Sequence, residues 1–275
     1  MKKKYAGMVF ILPHLAGVLL FLFVPFLDVA RRSFVRAAGG FAGLLNYGEV
    51  LRNEAFRLAA GNTFRFTAVC LPLLMLLSLL LALTVCGIGS GKAALKNCFL
   101  IPMAIPAACV ALLWQLLFDN HGMVNGLLTV FGIEPVSWMS TGASFYVLVG
   151  SYLWKNAGYV TVLWMAALDG IPGEVYEAAR MDGAGRAASL VFITLPCIRP
   201  AAFTIGVISF LNTFKVFREA YLVAGSYPQE RIYLISHLFN NWFLSLSVDK
   251  MAAGAVLLSV VTGAAIAALQ RAWED

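Results

Sequence analysis

Residues able to do acid–base, nucleophilic or metal chemistry are few in this chain, and their spacing argues against all three. His14, His121 and His237 stand far apart, and none has further ligand types at a metal-binding interval. Cys70, Cys86, Cys98, Cys109 and Cys197 form no Cys-x-x-Cys pair. They lie in or beside apolar runs, where a thiol reads as a small buried side chain. No Gly-x-x-x-x-Gly-Lys-Ser/Thr loop is present, so the chain is not expected to bind ATP. Gly87 to Gly91 is glycine-rich but lacks that pattern and reads as a turn. No side chains cluster as a catalytic set would. The expectation is a non-enzyme with no metal and no cofactor of its own.

Polar chemistry is concentrated instead in two places. The first is residues 170–199. Gly170-Ile-Pro-Gly173 breaks the chain, and Pro172 suits the start of a new helix. Glu174 and Glu177 then fall in the first turns, where carboxylates meet the helix field favourably. Ala178 and Ala179 give a smooth face, and Asp182-Gly183 is a turn signal. A second helix is expected from Arg186 to a break near Pro196. So elaborate a connector suits docking better than a plain link. The second place is the apolar sequence on either side. Asn156, Tyr159 and Trp164 precede the stretch, and Ser209, Asn212, Thr213 and Phe214 follow it. They supply the hydrogen-bonding groups and aromatic faces that a cavity for a polar solute needs. Cavity lining and helix–helix packing are both open for each of them.

The elements that must hold these residues are membrane helices. The 275 residues are 61% hydrophobic and 12% charged, far from the balance of a soluble domain. The apolar residues fall in blocks of about twenty, enough to cross the hydrocarbon as helices. Continuous runs exclude the alternating ten-residue strands of a barrel. Six spans are expected: about Met8–Val29, Phe66–Cys86, Asn97–Phe118, Ser144–Leu168, Pro200–Phe217 and Met251–Leu269. Pro13 and Pro25 should kink the first, and Pro102 and Pro106 should bend the third. Residues 1–30 read as a span rather than a cleaved signal, because no clear cleavage site follows. The net charge of +6 reflects basic residues at span ends, not a nucleic-acid surface. Lysine and arginine counts barely separate the two sides. Lys2, Lys3 and Lys4 and the short basic loops place both termini inside, whereas the arginines of the first loop, Arg31 to Arg65, oppose it. No carboxylate lies in the middle of a span, Asp28 being at an edge, which counts against a proton-coupled carrier.

The polar stretch resembles a known signature. Glu177-Ala-Ala, two residues, Asp182-Gly-Ala184, eight residues, Ile193-Thr-Leu-Pro196, three residues and Pro200 match the EAA motif of ATP-binding-cassette importer permeases at each anchor. Asn46-Tyr47, Asn62-Thr63, Trp114 to Asn125, Trp154-Lys-Asn156 to Gly158, Leu168 to Pro172 and Phe214 to Phe217 are similar to the sugar-importing branch that includes the maltose and glycerol-3-phosphate permeases. The chain departs from it at Ala224-Gly-Ser-Tyr-Pro228, where Gly-Gly-Pro is usual, and around Phe192.

The resemblance implies an all-α integral membrane protein of the type I importer fold, one permease domain over residues 1–275 with six spans. Residues 170–199 would be its cytoplasmic coupling region. Glu174, Glu177, Ala178, Ala179, Asp182, Gly183 and Ala184 would meet a separate nucleotide-binding subunit, which carries the ATP and magnesium. The further partners implied are a second permease, a second nucleotide-binding subunit, an extracellular solute-binding protein, the transported sugar and membrane lipid. The location implied is a bacterial or archaeal inner membrane. Glycerol-3-phosphate or a polyamine is the alternative solute, and an ion-coupled carrier the alternative class.

Overall fold

The structure, a computed structural model, describes residues 2–87, 91–216, 220–221 and 228–274. Residues 88–90 of the glycine-rich turn, Phe217 and residues 224–227 lie outside it. All the regular elements described are helical, with one isolated bridge between Val35 and Phe41.

Among the described residues, four helices are long and apolar enough to cross a membrane: Phe10–Ser33, Glu54–Cys86, Arg186–Val216 and Val248–Arg271. The pair Lys92–Ala104 and Ala107–Leu117, bent by 87° at the break before Pro106, is a fifth if counted as one crossing. The six expected spans are thus met by four, or five. The helix Ser144–Asp169 is long enough at 26 residues, but Lys155-Asn156 in its middle lowers its apolarity. Two expected spans also start earlier than the apolar runs suggest. The second begins at Glu54 and the fifth at Arg186, because helix continues through the polar flank.

Residues Met1–Arg57 with Leu238–Asp275 form one compact unit. In it, α1 (Lys2–Val18), a π turn (Leu19–Phe23) and α2 (Val24–Ser33) make one continuous helix. The kink expected at Pro25 is this π turn. Val24 N–H bonds to the carbonyl of Leu19, five residues back, just before the proline that has no N–H to give. Beyond Ser33, Asn46 and Tyr47 of α3 (Leu45–Arg52) pin the chain leaving the span. The Asn46 amide donates to the Ser33 and Val35 carbonyls at 2.9 and 3.0 Å, and the Tyr47 hydroxyl meets that of Ser33 at 2.6 Å.

Residues Leu58–His237 form the second unit. Most of α4 (Glu54–Cys86) belongs to it, followed by α5 (Lys92–Ala104), α6 (Ala107–Leu117), α7 (Met123–Val130) and α8 (Ser144–Asp169). Thirteen of the 26 residues of α8 are buried, while Lys155 and Asn156 in its middle are half-buried. Phe66, Cys70 and Leu74 from α4 pack in one core with Tyr152, Val160 and Trp164 from α8 and with Ile198 and Ile205. Two contacts fix α5 on α8. Lys92 and Asp169 form a 2.6 Å ion pair at one end. At Gly158 the backbones come so close that a Cβ would lie 2.6 Å from the Phe99 carbonyl carbon.

The loop after α6 is organised by Asn125, which is 2% exposed. Its amide donates to the Asp119, Asn120 and Val136 carbonyls, and its oxygen accepts from Val136 N–H and Trp138 Nε1–H at 3.0 and 2.9 Å. Trp154, Trp114, Phe118 and Trp138 run beside it as an aromatic column, with neighbouring centroids 5.3–6.2 Å apart. These residues give the Trp114 to Asn125 match its physical content. The cysteines are all free, but only Cys70 is buried; Cys98, Cys109 and Cys197 are exposed, against expectation. They sit on helices whose outward faces need no water-soluble side chain.

Candidate functional site: a short exposed helix and a polar cavity

Helix α9 (Gly173–Met181) follows α8 after three residues. Pro172 opens it, and its carbonyl accepts the Val175 N–H at 3.2 Å. Glu174 in the first turn and Arg180 in the last both suit the helix dipole. Its end is a Schellman motif. Ala184 N–H reaches back to the Ala179 carbonyl at 2.9 Å, and Gly183 N–H to the Arg180 carbonyl at 3.1 Å. Gly183 sits at φ +82°, where a side chain is strained. The spacing from Ala179 to Ala184 in the signature is therefore the hydrogen-bond span of a helix stop.

Glu174, Glu177, Ala178, Asp182 and Gly183 are exposed and Ala184 is half-buried. Ala179 is the exception among the expected contact residues, at 8% exposed, so it packs against its own chain. Two residues that the motif does not include complete the outer face. Val175 and Met181 are exposed, and with Ala178 they form an apolar row at i, i+3 and i+6 beside the carboxylates. The spacing of Val175, Ala178 and Met181 in an otherwise polar stretch is the sequence signal that points to it.

The chain returns through α10 (Arg186–Ser189), a π turn (Leu190–Thr194) and α11 (Leu195–Thr213). Helix continues through Pro196, so the break expected there is absent. Leu195 N–H bonds to the Leu190 carbonyl five residues back, and the proline follows, the same device as at Pro25.

A cavity of about 490 Å³ lies among α5, α8 and the end of α11. Of the residues put forward for a cavity, Asn156, Asn212 and Phe214 are in its lining, together with Ser151, Tyr152, Lys155, Lys215, Val216, Met103 and Ser236. Ser151, Tyr152, Lys155 and Asn156 recur at i, i+1, i+4 and i+5, one helical face, a pattern legible in the sequence. Asn156 ties its amide nitrogen to the Tyr152 carbonyl at 2.8 Å. Four expected residues are not in the lining. Tyr159 packs on the core, and Trp164, Ser209 and Thr213 are 3%, 0% and 1% exposed. The Thr213 hydroxyl donates to the Phe210 carbonyl and accepts from Thr67 at 3.1 Å, while Tyr152 reaches the Ser209 carbonyl at 3.4 Å. Thr213 thus bonds within and between helices, whereas Trp164 Nε1 and Ser209 Oγ are buried with no hydrogen-bond partner among the described residues. Among the described residues no three His, Cys, Asp or Glu side chains come together as metal ligands do.

A short exposed helix thus follows α8, and a polar cavity is lined by the middle of the same α8. Comparison with known proteins identifies the family. Residues 87–274 match the family described as binding-protein-dependent transport system inner membrane component. The trehalose/maltose transport system permease protein MalF of Thermococcus litoralis is 32% identical over 86% of this chain and 83% of its own length. The arabinooligosaccharides transport system permease protein AraP of Bacillus subtilis is 30% identical over 93% of this chain and 83% of its own. A chain of a bacterial ABC transporter involved in import of the acidic polysaccharide alginate has the same fold, with a TM-score of 0.85 at 23% identity over 99% of this chain and 96% of that one. This chain belongs to the inner-membrane permease family of binding-protein-dependent transport systems.

Proposed function

We propose that this chain is one permease of an ATP-driven, binding-protein-dependent importer of a carbohydrate, a sugar or an oligosaccharide. The observation that carries the proposal is α9, an exposed apolar row with flanking carboxylates on a helix stopped by Gly183. Residues 170–199 act as the coupling region, with Glu174, Glu177, Ala178, Asp182, Gly183 and Ala184 meeting a nucleotide-binding subunit. Val175 and Met181 join them, and Ala179 acts from behind by packing the helix on its own chain.

In this proposal the bent pair and α8 each complete a crossing, giving six spans in one permease domain with both termini inside. ATP and magnesium sit on two partner subunits. A second permease and an external binding protein complete the transporter, in a bacterial or archaeal inner membrane. Carbohydrate as the solute is supported by the sugar permeases among the relatives and by a cavity of amides, hydroxyls and aromatic faces.

A second reading is an anionic solute such as glycerol-3-phosphate. Lys155 and Lys215 favour it, since both charged residues in the described lining are cationic. The same two residues argue against a polyamine. The test is the ATPase rate of the reconstituted transporter with its binding protein, across neutral saccharides, uronic acid oligomers and glycerol-3-phosphate. Several-fold stimulation by a saccharide is expected. Stimulation by glycerol-3-phosphate alone would replace carbohydrate with the second reading, and no solute response at all would sink both.

A further inference from the structure

The Ile193-Thr-Leu-Pro196 part of the signature has no outward-facing role in the contacts above, and Thr194 is only 5% exposed. Its hydroxyl instead closes a relay. Tyr176, in the middle of α9, has its hydroxyl 2.9 Å from Thr194 Oγ1. Thr194 Oγ1–H in turn donates to the Ser189 carbonyl, five residues back, at 3.2 Å. The order is fixed by the donors. Thr194 gives its proton to Ser189, so Tyr176 donates to Thr194. Ser189 stands immediately before the π turn, and its carbonyl, with two lone pairs, can take the side chain besides any backbone partner. Arg180 Nε–H donates to the Tyr176 carbonyl at 3.3 Å, tying the next turn of α9 to the same residue.

We infer that Tyr176 and Thr194 are positioning residues that make α9 and the π turn of the fifth span move as one body. This rests on the coupling role proposed for α9. Between α9 and α10 the chain turns at Asp182 to Gly185, with Gly183 at positive φ, a link of four residues. Without the Tyr176–Thr194 bond, a displacement of α9 would be taken up in that link. With it, the displacement enters α11 at its π turn, where a helix changes register most readily. Thr194 is buried and Tyr176 half-buried, so the bond is partly shielded from water.

Amide hydrogen exchange on the complete transporter in lipid nanodiscs tests this, comparing the nucleotide-free state with the state trapped by MgATP and vanadate. In the natural protein both 173–181 and 190–195 should change protection on trapping. In Tyr176→Phe and Thr194→Val the response of 173–181 should persist, while that of 190–195 falls at least twofold. Thr194→Ser, which keeps the hydroxyl, should retain it. Combining Tyr176→Phe with Thr194→Val should add nothing to either single change. A natural response at 190–195 in Tyr176→Phe overturns the relay and leaves the coupling role intact. Absence of any trapping response at 173–181 in the natural protein overturns the coupling role itself.

Discussion

Replacing Gly158 by alanine puts a methyl group where α8 has room for none. The new Cβ would lie 2.6 Å from the Phe99 carbonyl carbon and 3.1 Å from its Cα. Non-bonded carbons settle at about 3.5–4.0 Å and the Phe99 carbonyl oxygen is closer still, so α5 and α8 must part by more than about 1 Å at their crossing. All three obstructing atoms are backbone, so no rotamer change can relieve the clash. Overpacking costs about 1–3 kcal/mol, and this case belongs at the upper end. A loss of about 3 kcal/mol is a change of more than a hundredfold in the folding equilibrium. For a chain of this size it lowers the melting temperature by about 6–12 °C. Gly150 on the same helix supplies the control, since a Cβ there meets nothing within 4 Å. Gly150→Ala should be neutral or stabilising by up to about 1 kcal/mol through helix propensity. The assay is detergent-solubilised thermal unfolding followed by size-exclusion fluorescence. Equal melting of Gly158→Ala and the natural protein, or an equal fall in Gly150→Ala, would refute close approach as the reason for Gly158.

Gly183→Val forces a β-branched residue to φ +82°, a strain of about 1–2 kcal/mol confined to the helix stop. It should leave the protein in the membrane while lowering solute uptake per ATP hydrolysed, and uptake at the natural ratio would count against the stop as a coupling feature. Asn125→Ala removes the acceptor for Val136 N–H and Trp138 Nε1–H and should destabilise by about 2–4 kcal/mol, with a red shift in tryptophan emission. His237 is fully enclosed, with Nδ1 accepting the Leu234 N–H at 3.2 Å, and burial pushes its pKa down to about 4. The unfolded chain therefore binds the proton first. Stability from this group is full above about pH 6.5 and falls by about 3 kcal/mol as pH drops towards 4. His237→Gln should flatten that part of the pH–stability curve, and an unchanged slope would show that other groups cause it.

What the sequence reveals here depends on whether the signal is local. Asp182-Gly183 reads as a turn because only glycine takes that φ cheaply, and the helix stop stands at that position. The membrane class follows from composition, which packing cannot reverse. Pro196 misleads because a proline announces a missing N–H without saying how the ladder adapts. The answer, a π turn, depends on the i−5 carbonyl and recurs at Pro25, whereas the helix does break before Pro106, so a proline inside a long apolar run does not by itself decide between the two. The cavity is the least legible part. Asn156, Asn212 and Phe214 reach it, but Tyr159, Trp164, Ser209 and Thr213 do not. Polarity in a membrane helix marks a group that needs a partner, and Thr67 meets that need for Thr213 as well as a solute would.

The same reasoning bears on the arginines of the first loop, whose number weighs against placing both termini inside. Their positions give them other work. Arg31 and Arg32 share Asp28 at 3.0 and 2.6 Å, and Arg36 faces Glu49 at 3.8 Å. Arg57 donates to the Leu51 carbonyl at 2.8 Å, and Arg65 lies 4.7 Å over the Phe145 ring. Arg57 and Arg65 are also not in a loop at all, because α4 starts at Glu54. A guanidinium that holds a turn or covers a ring is retained for that contact, and its side of the membrane follows from the fold. Charge counting treats every arginine as a vote on topology, so it is weakest where arginines are structural. The proposed orientation therefore rests on α9. If this helix docks on a nucleotide-binding subunit, the end of α8 and the start of α10 lie inside, and alternation along six crossings carries both termini with them.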